Sequence, residues 1–257
     1  MSSKLRILLI QAREAGDPML DHELGAFAAR TQLPREAFTS FNAADDDVDD
    51  FDTAGFDALM VGGSGDFSLV DGGFEWHEDF LYLTRQVLNA RIPLFASCFG
   101  FQSIVQALGG TLARDEDRAE IGTFQITLTD AAQEDPLFGE LPRQFDAQLG
   151  HNDSAVHLPE ALVHLASSEC CEYQAIRVKD RPVVATQFHP ELTLNDNLER
   201  FECYLKNYKR PGQDFEQAMA YARQIHRPSP HSCGLLHSFV ADLHRRAERI
   251  PTVDAAE

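Results

Sequence analysis

The chain has 257 residues, of which 44% are hydrophobic and 25% charged, enough for one substantial soluble domain with an appendage and short for two full domains. Its 41 Asp and Glu against 22 Lys and Arg give a formal net charge of -19, and a surface that acidic repels phosphate backbones and anionic headgroups, which argues against nucleic acid and membrane as partners. The first apolar run breaks at Gln11, no stretch reaches the roughly 18 apolar residues of a membrane helix, and five cysteines with no C-x-x-C pair fit free thiols in a cytoplasmic protein.

Residues 4–12 read as a buried strand that ends before the turn Glu14-Ala15-Gly16-Asp17-Pro18. Helical spacing follows over 20–30 and a second strand over 36–41. The aspartates between Asp45 and Asp52 lack the spaced pattern of a calcium loop and read as a solvated connection. Residues 56–61 form a third strand running into Gly62-Gly63-Ser64-Gly65. A helix over 75–90, a short strand over 92–96 and a helix from 101 to 108 continue the alternation, which implies a parallel sheet covered on both faces. Strands over 120–129, 161–167, 173–178 and 183–187, some of them antiparallel, and a helix over 198–208 complete the pattern.

The character changes near residue 210, dividing the chain into a domain over 1–209 and a helical extension over 210–257. The extension carries two amphipathic helices, around 215–225 and 235–243, and a frayed end over 250–257. It is expected to pack on the domain or to serve in self-association. His226, His231, Cys233 and His237 match no strong zinc spacing and read as solvated linker histidines.

Three segments carry chemistry. PLFASCFGFQ, residues 93–102, runs an apolar strand into a sharp turn at Cys98 with a helix immediately after. Such a turn projects one side chain from the sheet end, and the helix N-terminus favours a thiolate there. Taken alone, that pattern fits a buried structural cysteine equally well. QFHPE, residues 187–191, follows another strand, so His189 and Glu191 project from one rigid turn as a base and its orienting acceptor. Gly62-Gly63 at a third strand end lets the Gly63 N–H point into the cleft, where with the Phe99 N–H it could hold an oxyanion. The same glycines lack both the dinucleotide and the P-loop pattern.

Taken in order, Gly62-Gly63, SCFGFQ and QFHPE resemble the class I, or triad, glutamine amidotransferases, above all the free-standing branch similar to the glutaminase domain of GMP synthetase. GHNDSAV at 150–156 also resembles that family's pocket segment. The resemblance spans about residues 5–205. It implies a flavodoxin-like three-layer α/β sandwich with a mostly parallel central sheet. It also implies catalysis by Cys98, His189 and Glu191, an oxyanion hole from Gly63 and Phe99, and glutamine contacts from Gly62, Gln102, Asn152 and Asp153. Ala96 stands where many members have glycine, and Phe101 replaces a frequent histidine; neither side chain takes part directly in the chemistry.

The expected reaction is hydrolysis of the glutamine side-chain amide through a γ-glutamyl thioester, with no metal and no organic cofactor. The ammonia would pass to a separate synthetase subunit, because no ATP-pyrophosphatase loop is evident. The same triad would equally serve a γ-glutamyl peptidase acting alone on another γ-glutamyl small molecule, with Trp76 or His77 in the loop over 66–78 contacting the leaving group or simply packing. A silent binding or regulatory protein is the alternative of another class, though no triad residue is lost. A homo-oligomer is compatible with the extension.

Overall fold

The computed structural model describes residues 5–115, 118–208 and 212–249. The expected strand start at residue 4, the division at 209/210 and the terminal stretch 250–257 lie outside them. The strands are β1 (Ile7–Ala12), β2 (Phe38–Asn42), β3 (Ala58–Ser64), β4 (Leu94–Ser97), β5 (Thr111–Arg114), β6 (Glu120–Leu128), β7 (Gln144–His151), β8 (Asp153–His157), β9 (Leu162–Ser167), β10 (Ala175–Val178) and β11 (Val183–Thr186). The helices are α1 (Met19–Thr31), α2 (His77–Ala90), α3 (Phe99–Ala107), the short α4 (Asp130–Gln133), α5 (Leu194–Cys203), the short α6 (Leu205–Tyr208), α7 (Phe215–Ile225), the short α8 (Pro230–Cys233) and α9 (Leu235–Arg249).

One sheet runs in the order β2-β1-β3-β4-β11-β10-β9-β6-β7, and β5 pairs with β8 in a small second sheet. From β2 to β11 the pairings are parallel; β10, β9, β6 and β7 extend the sheet antiparallel. Every residue of β1 is buried, so its apolar run serves both faces of the sheet. Ile7 and Leu9 enter one core with Met60, Phe95 and Val184, while Leu8 and Ile10 enter the other with Leu59, Ala96 and Ala185. That alternation is the period of two of a strand, read across four neighbouring strands.

Helices cover both faces. Phe80, Leu83, Val87 and Leu88 of α2 and Ile104 and Val105 of α3 close one core. Phe27 and Ala28 of α1 close the other together with Leu235, Leu236, Phe239, Val240 and Leu243 of α9. Phe239 meets Phe95 of β4 edge to face at 5.7 Å. The architecture is the three-layer α/β sandwich implied by the sequence, and its C-terminal helical region packs into the main core. No helix among the described residues is long and apolar enough to cross a membrane.

Local signals explain several boundaries. α5 starts at Leu194, ahead of the expected 198, because Thr193 and Asp196 form a reciprocal capping box. α7 starts behind the same device, built from Asp214 and Gln217. β7 and β8 were not anticipated, since polar Gln144, Asp146 and Gln148 interrupt the apolar pattern of β7.

Candidate active site

The residues of interest leave the sheet together. β4 and β11 are parallel neighbours with Ser97 opposite Thr186, so Cys98 and Gln187 emerge side by side at their carboxyl ends, where open α/β sheets carry their chemistry. The Cys98 N–H donates to Thr186 O at 2.8 Å, and Gln187 Nε2 lies 3.6 Å from Cys98 Sγ. Cys98 has φ 49° and ψ -100° and caps α3. A non-glycine residue held there stores strain of about 1–3 kcal/mol, which persists only where surrounding structure enforces it. The turn is also tight after Cys98: a Cβ on Gly100 would lie 2.7 Å from Val61 Cγ1 and 3.0 Å from Ala96 Cβ. Glycine at position 100 therefore accommodates the extra methyl of Ala96.

His189 and Glu191 are both fully buried. His189 Nδ1 lies 2.6 Å from Glu191 Oε1, while the buried Nε2 has no hydrogen-bond partner among the described residues. With Nδ1–H donated to Glu191, Nε2 of a neutral ring carries the lone pair. Arg200 of α5, also buried, brings Nη1 to 3.2 Å from His189 Nδ1 and 3.9 Å from Glu191 Oε1. Nδ1 cannot accept from Arg200 while it donates to Glu191, so the guanidinium acts as a counter-charge. Burial pushes the His189 pKa below its ordinary value, with Arg200 adding to the depression and Glu191 opposing it. Burial alone would raise the Glu191 carboxyl, but His189 and Arg200 hold it below the usual range.

The helix N-terminus was expected to favour a Cys98 thiolate. The balance runs the other way: burial pushes the thiol up to about 12, and neither Arg200 nor the Phe99 N–H overcomes it. Burial therefore favours the neutral thiol at Cys98.

The glycine pair also differs from its sequence reading. The Gly63 N–H donates to Glu23 Oε1 at 3.1 Å instead of facing the cleft. A Cβ on Gly62 would lie 2.5 Å from the Glu23 carboxylate, and one on Gly63 would lie 3.0 Å from His189 Cε1 and 3.1 Å from Arg200 Nη2. Gly62 thus makes room for Glu23, and Gly63 for the imidazole and guanidinium. Phe99, in contrast, directs its N–H toward the Cys98 thiol.

A cavity of about 670 Å³ opens over Cys98, and its lining includes Phe99, Gln102, Asn152, Asp153 and Tyr208; neither Gly62 nor Gly63 belongs to it. Gln102 Nε2 is taken by Asp153 O at 2.8 Å and Gln187 Oε1 at 3.2 Å. The Asp153 carboxylate is held by Ser68 Oγ and by Arg114 Nε at 2.9 Å. That side chain therefore braces the wall, and Asn152 is its freer neighbour. Asp66, Phe67, Ser68 and Asp71 of the loop after β3 line the cavity, whereas Trp76 and His77 do not. Trp76 packs against Phe74 at 4.4 Å and Phe67 at 4.6 Å, and His77 against Phe74. For those two residues ordinary packing prevails over leaving-group contact.

Several participants escaped the sequence reading. Arg13, fully buried just past β1, pairs with Glu23 at 2.8 Å and donates to Tyr204, which in turn donates to Asp17. Arg13 does follow a strand end, and that position was the only available signal. The tail histidines are not all solvated: His226 is buried, with Nδ1 2.7 Å from Ala222 O.

The profile of the class-I glutamine amidotransferases matches residues 38–202, and the chain belongs to that family. One of the subunits of the glutamine-hydrolysing GMP synthase of Methanocaldococcus jannaschii is 35% identical over 126 residues, covering 48% of this chain and 64% of that protein. The glutamine-hydrolysing GMP synthase of Thermosipho africanus is 36% identical over 118 residues, covering 46% of this chain and 22% of that protein. The chain thus spans less than two thirds of the curated relatives it matches. A glutamine amidotransferase of Thermotoga maritima superposes with TM-score 0.70 at 18% identity, over 93% of this chain and 98% of that one. One of Methylobacillus flagellatus does so with TM-score 0.67 at 20% identity, over 94% and 95%.

Proposed function

We propose that this chain hydrolyses the side-chain amide of glutamine through a γ-glutamyl thioester on Cys98. Two observations carry the reading: a strained Cys98 that lines a cavity, and a buried His189 whose Nδ1 is committed to Glu191 and whose Nε2 has no hydrogen-bond partner among the described residues. Because burial favours the neutral thiol, its proton passes to His189 Nε2 as Sγ attacks the amide carbon. The amide oxygen becomes an oxyanion and takes the Phe99 N–H. The Gly63 N–H joins only when Glu23 releases it. The imidazolium returns its proton to the departing nitrogen, and ammonia leaves. His189 then deprotonates a water that cleaves the thioester, giving glutamate and restoring the thiol. Glu191 fixes the imidazole tautomer, and Gln102, Asn152 and Asp153 shape the glutamyl side of the cavity. Residues 1–209 would form the amidotransferase domain and 210–257 an extension that completes its core. The family match ends at residue 202.

The test is covalent labelling with a glutamine-mimicking diazo-ketone, followed by peptide mapping and a glutaminase assay. Labelling at Cys98, blocked by glutamine and lost together with turnover in Cys98→Ala, is expected. Labelling mainly at another cysteine overturns the assignment, and no labelling and no turnover would favour a silent binding protein.

A second comparison bears on the ammonia acceptor. Relatives that are named as single subunits of a GMP synthase support delivery to a separate synthetase subunit. The cavity supports another reading, a γ-glutamyl peptidase: about 670 Å³, extending to Tyr221 and Ile225 of α7, leaves room beyond a glutamyl group. Assays of the pure protein separate them. A kcat/KM at least about tenfold higher for γ-glutamyl dipeptides than for glutamine, roughly 1.4 kcal/mol, marks the peptidase. Glutamine preference, or activity only with an added synthetase, marks the amidotransferase subunit.

A further inference from the structure

In the wall of the cavity, which His151 helps to line, lies a second Glu-His-Cys cluster that the proposed chemistry does not use. Glu120 opens β6, His151 closes β7, and Cys171 lies in the turn before β10; all three are buried. One ligating atom from each falls within 4.8 Å of the other two. Among the described residues no other group of three or more His, Cys, Asp or Glu side chains meets this spacing.

The hydrogen bonding around the cluster is short of donors. His151 Nδ1 lies 3.0 Å from Asp153 O, so that nitrogen carries the proton. In the neutral ring Nε2 then presents a lone pair, and it faces Glu120 Oε2 at 3.2 Å. Two acceptors at that distance repel unless a cation or a second proton lies between them. Among the described residues Glu120 Oε1, which is buried, has no partner, and neither has the buried Gln174 Oε1 beside it. Gln174 Nε2 supplies one donor to Glu120 Oε2. Cys171 Sγ lies 3.1 Å from Ser154 Oγ and 3.7 Å from Arg118 O. Buried acceptor oxygen in this excess is costly as it stands.

We propose that Glu120, His151 and Cys171 form a binding site for a zinc-class divalent cation. Carboxylate oxygen, imidazole nitrogen and thiolate sulfur are the donor types such an ion takes, in tetrahedral sites with ligands roughly 2.0–2.3 Å away. The His151 Nδ1–H bond to a backbone carbonyl is the outer contact that fixes a ligating imidazole with Nε2 toward the metal. Binding replaces the Cys171 S–H proton by the ion and releases that proton to solvent, and the fourth position is left for water. The ion would tie β6, β7 and the 168–174 turn together directly behind Asn152 and Asp153, stiffening the glutamyl side of the cavity.

Cobalt(II) titration of the metal-stripped full-length protein is the test, because a thiolate ligand to cobalt gives a charge-transfer absorption in the near ultraviolet. A band that saturates at one equivalent, is displaced by zinc, persists in Cys98→Ala and is lost in Cys171→Ser is the expected result. His151→Gln should weaken zinc binding at least about tenfold in competition with a chromophoric chelator, about 1.4 kcal/mol. Absence of the band in the unaltered protein, or its survival in Cys171→Ser, overturns the site and leaves a protonated His151 paired with Glu120. The readout is spectroscopic, so it stands whatever the fate of the Cys98 mechanism.

Discussion

Glu23 Oε1 accepts the Gly63 N–H at 3.1 Å while the same carboxylate pairs with Arg13 at 2.8 Å, joining α1, the end of β1 and the end of β3 in one buried knot. Breaking one side of such a pair leaves an uncompensated buried charge. Glu23→Ala should therefore destabilise the protein by about 3–5 kcal/mol, whereas Arg13→Met with Glu23→Leu should recover most of that loss. Urea unfolding of Glu23→Ala and of the double variant measures it. A double variant as unstable as Glu23→Ala would show that the knot is not a coupled pair.

The electrostatics around His189 predict shifts of opposite sign. Arg200 lowers the imidazole pKa and Glu191 raises it. Arg200→Met should move the acid limb of kcat/KM for glutamine to higher pH, and Glu191→Gln should move it to lower pH with turnover still measurable. The limb reports the free enzyme's base, so pH profiles of the three proteins suffice. Parallel shifts in both variants would remove His189 from that role.

The two turns were legible because Cys98 and His189 each come after a short apolar strand that stops abruptly, a purely local pattern. Their neighbours were not legible. Glu23 reaches Gly63 only because α1 packs across β1 and β3, and Arg200 reaches His189 only once α5 is laid over the sheet edge. The amphipathic period of α9 was plain in the sequence, but the face it covers depends on which side of the sheet α1 leaves open. β7 was missed because Gln148 is polar yet fully buried, held by Arg227 O at 2.7 Å and Ser229 Oγ at 3.0 Å. The Cys98 thiol was misjudged for the same reason: helix position is readable from sequence and burial is not.

Phe239 tests whether the extension is part of the core. It packs on Phe95 of the central strand β4 and belongs to the same buried cluster as Ile7 and Leu9. Phe239→Ala should cost about 3–5 kcal/mol and lower the single unfolding transition without splitting it. Fluorescence from Trp76 and far-ultraviolet circular dichroism should give coincident curves. A separate early transition in circular dichroism would make residues 210–257 an independent unit.

The raised Cys98 thiol carries a pH signature in stability. Its ordinary value is 9.0 and burial lifts it to about 12 in the folded chain. Between those values the folded state holds a proton that the unfolded state has released, so the slope of unfolding free energy against pH is negative. Below the unfolded value both states are protonated and the group contributes no slope. Cys98→Ser substitutes a hydroxyl that does not titrate in this range. The stability of the unaltered protein should therefore fall faster than that of Cys98→Ser between about pH 9 and about pH 11, by up to roughly 1.4 kcal/mol per unit. Cys171 is also raised to about 12 by burial, and it is common to both proteins, so its contribution cancels in the difference. Guanidinium unfolding of both proteins at matched ionic strength gives the two slopes. Equal slopes would mean that Cys98 ionises at an ordinary or lowered value in the folded chain, and burial would then not hold it as a thiol across this range.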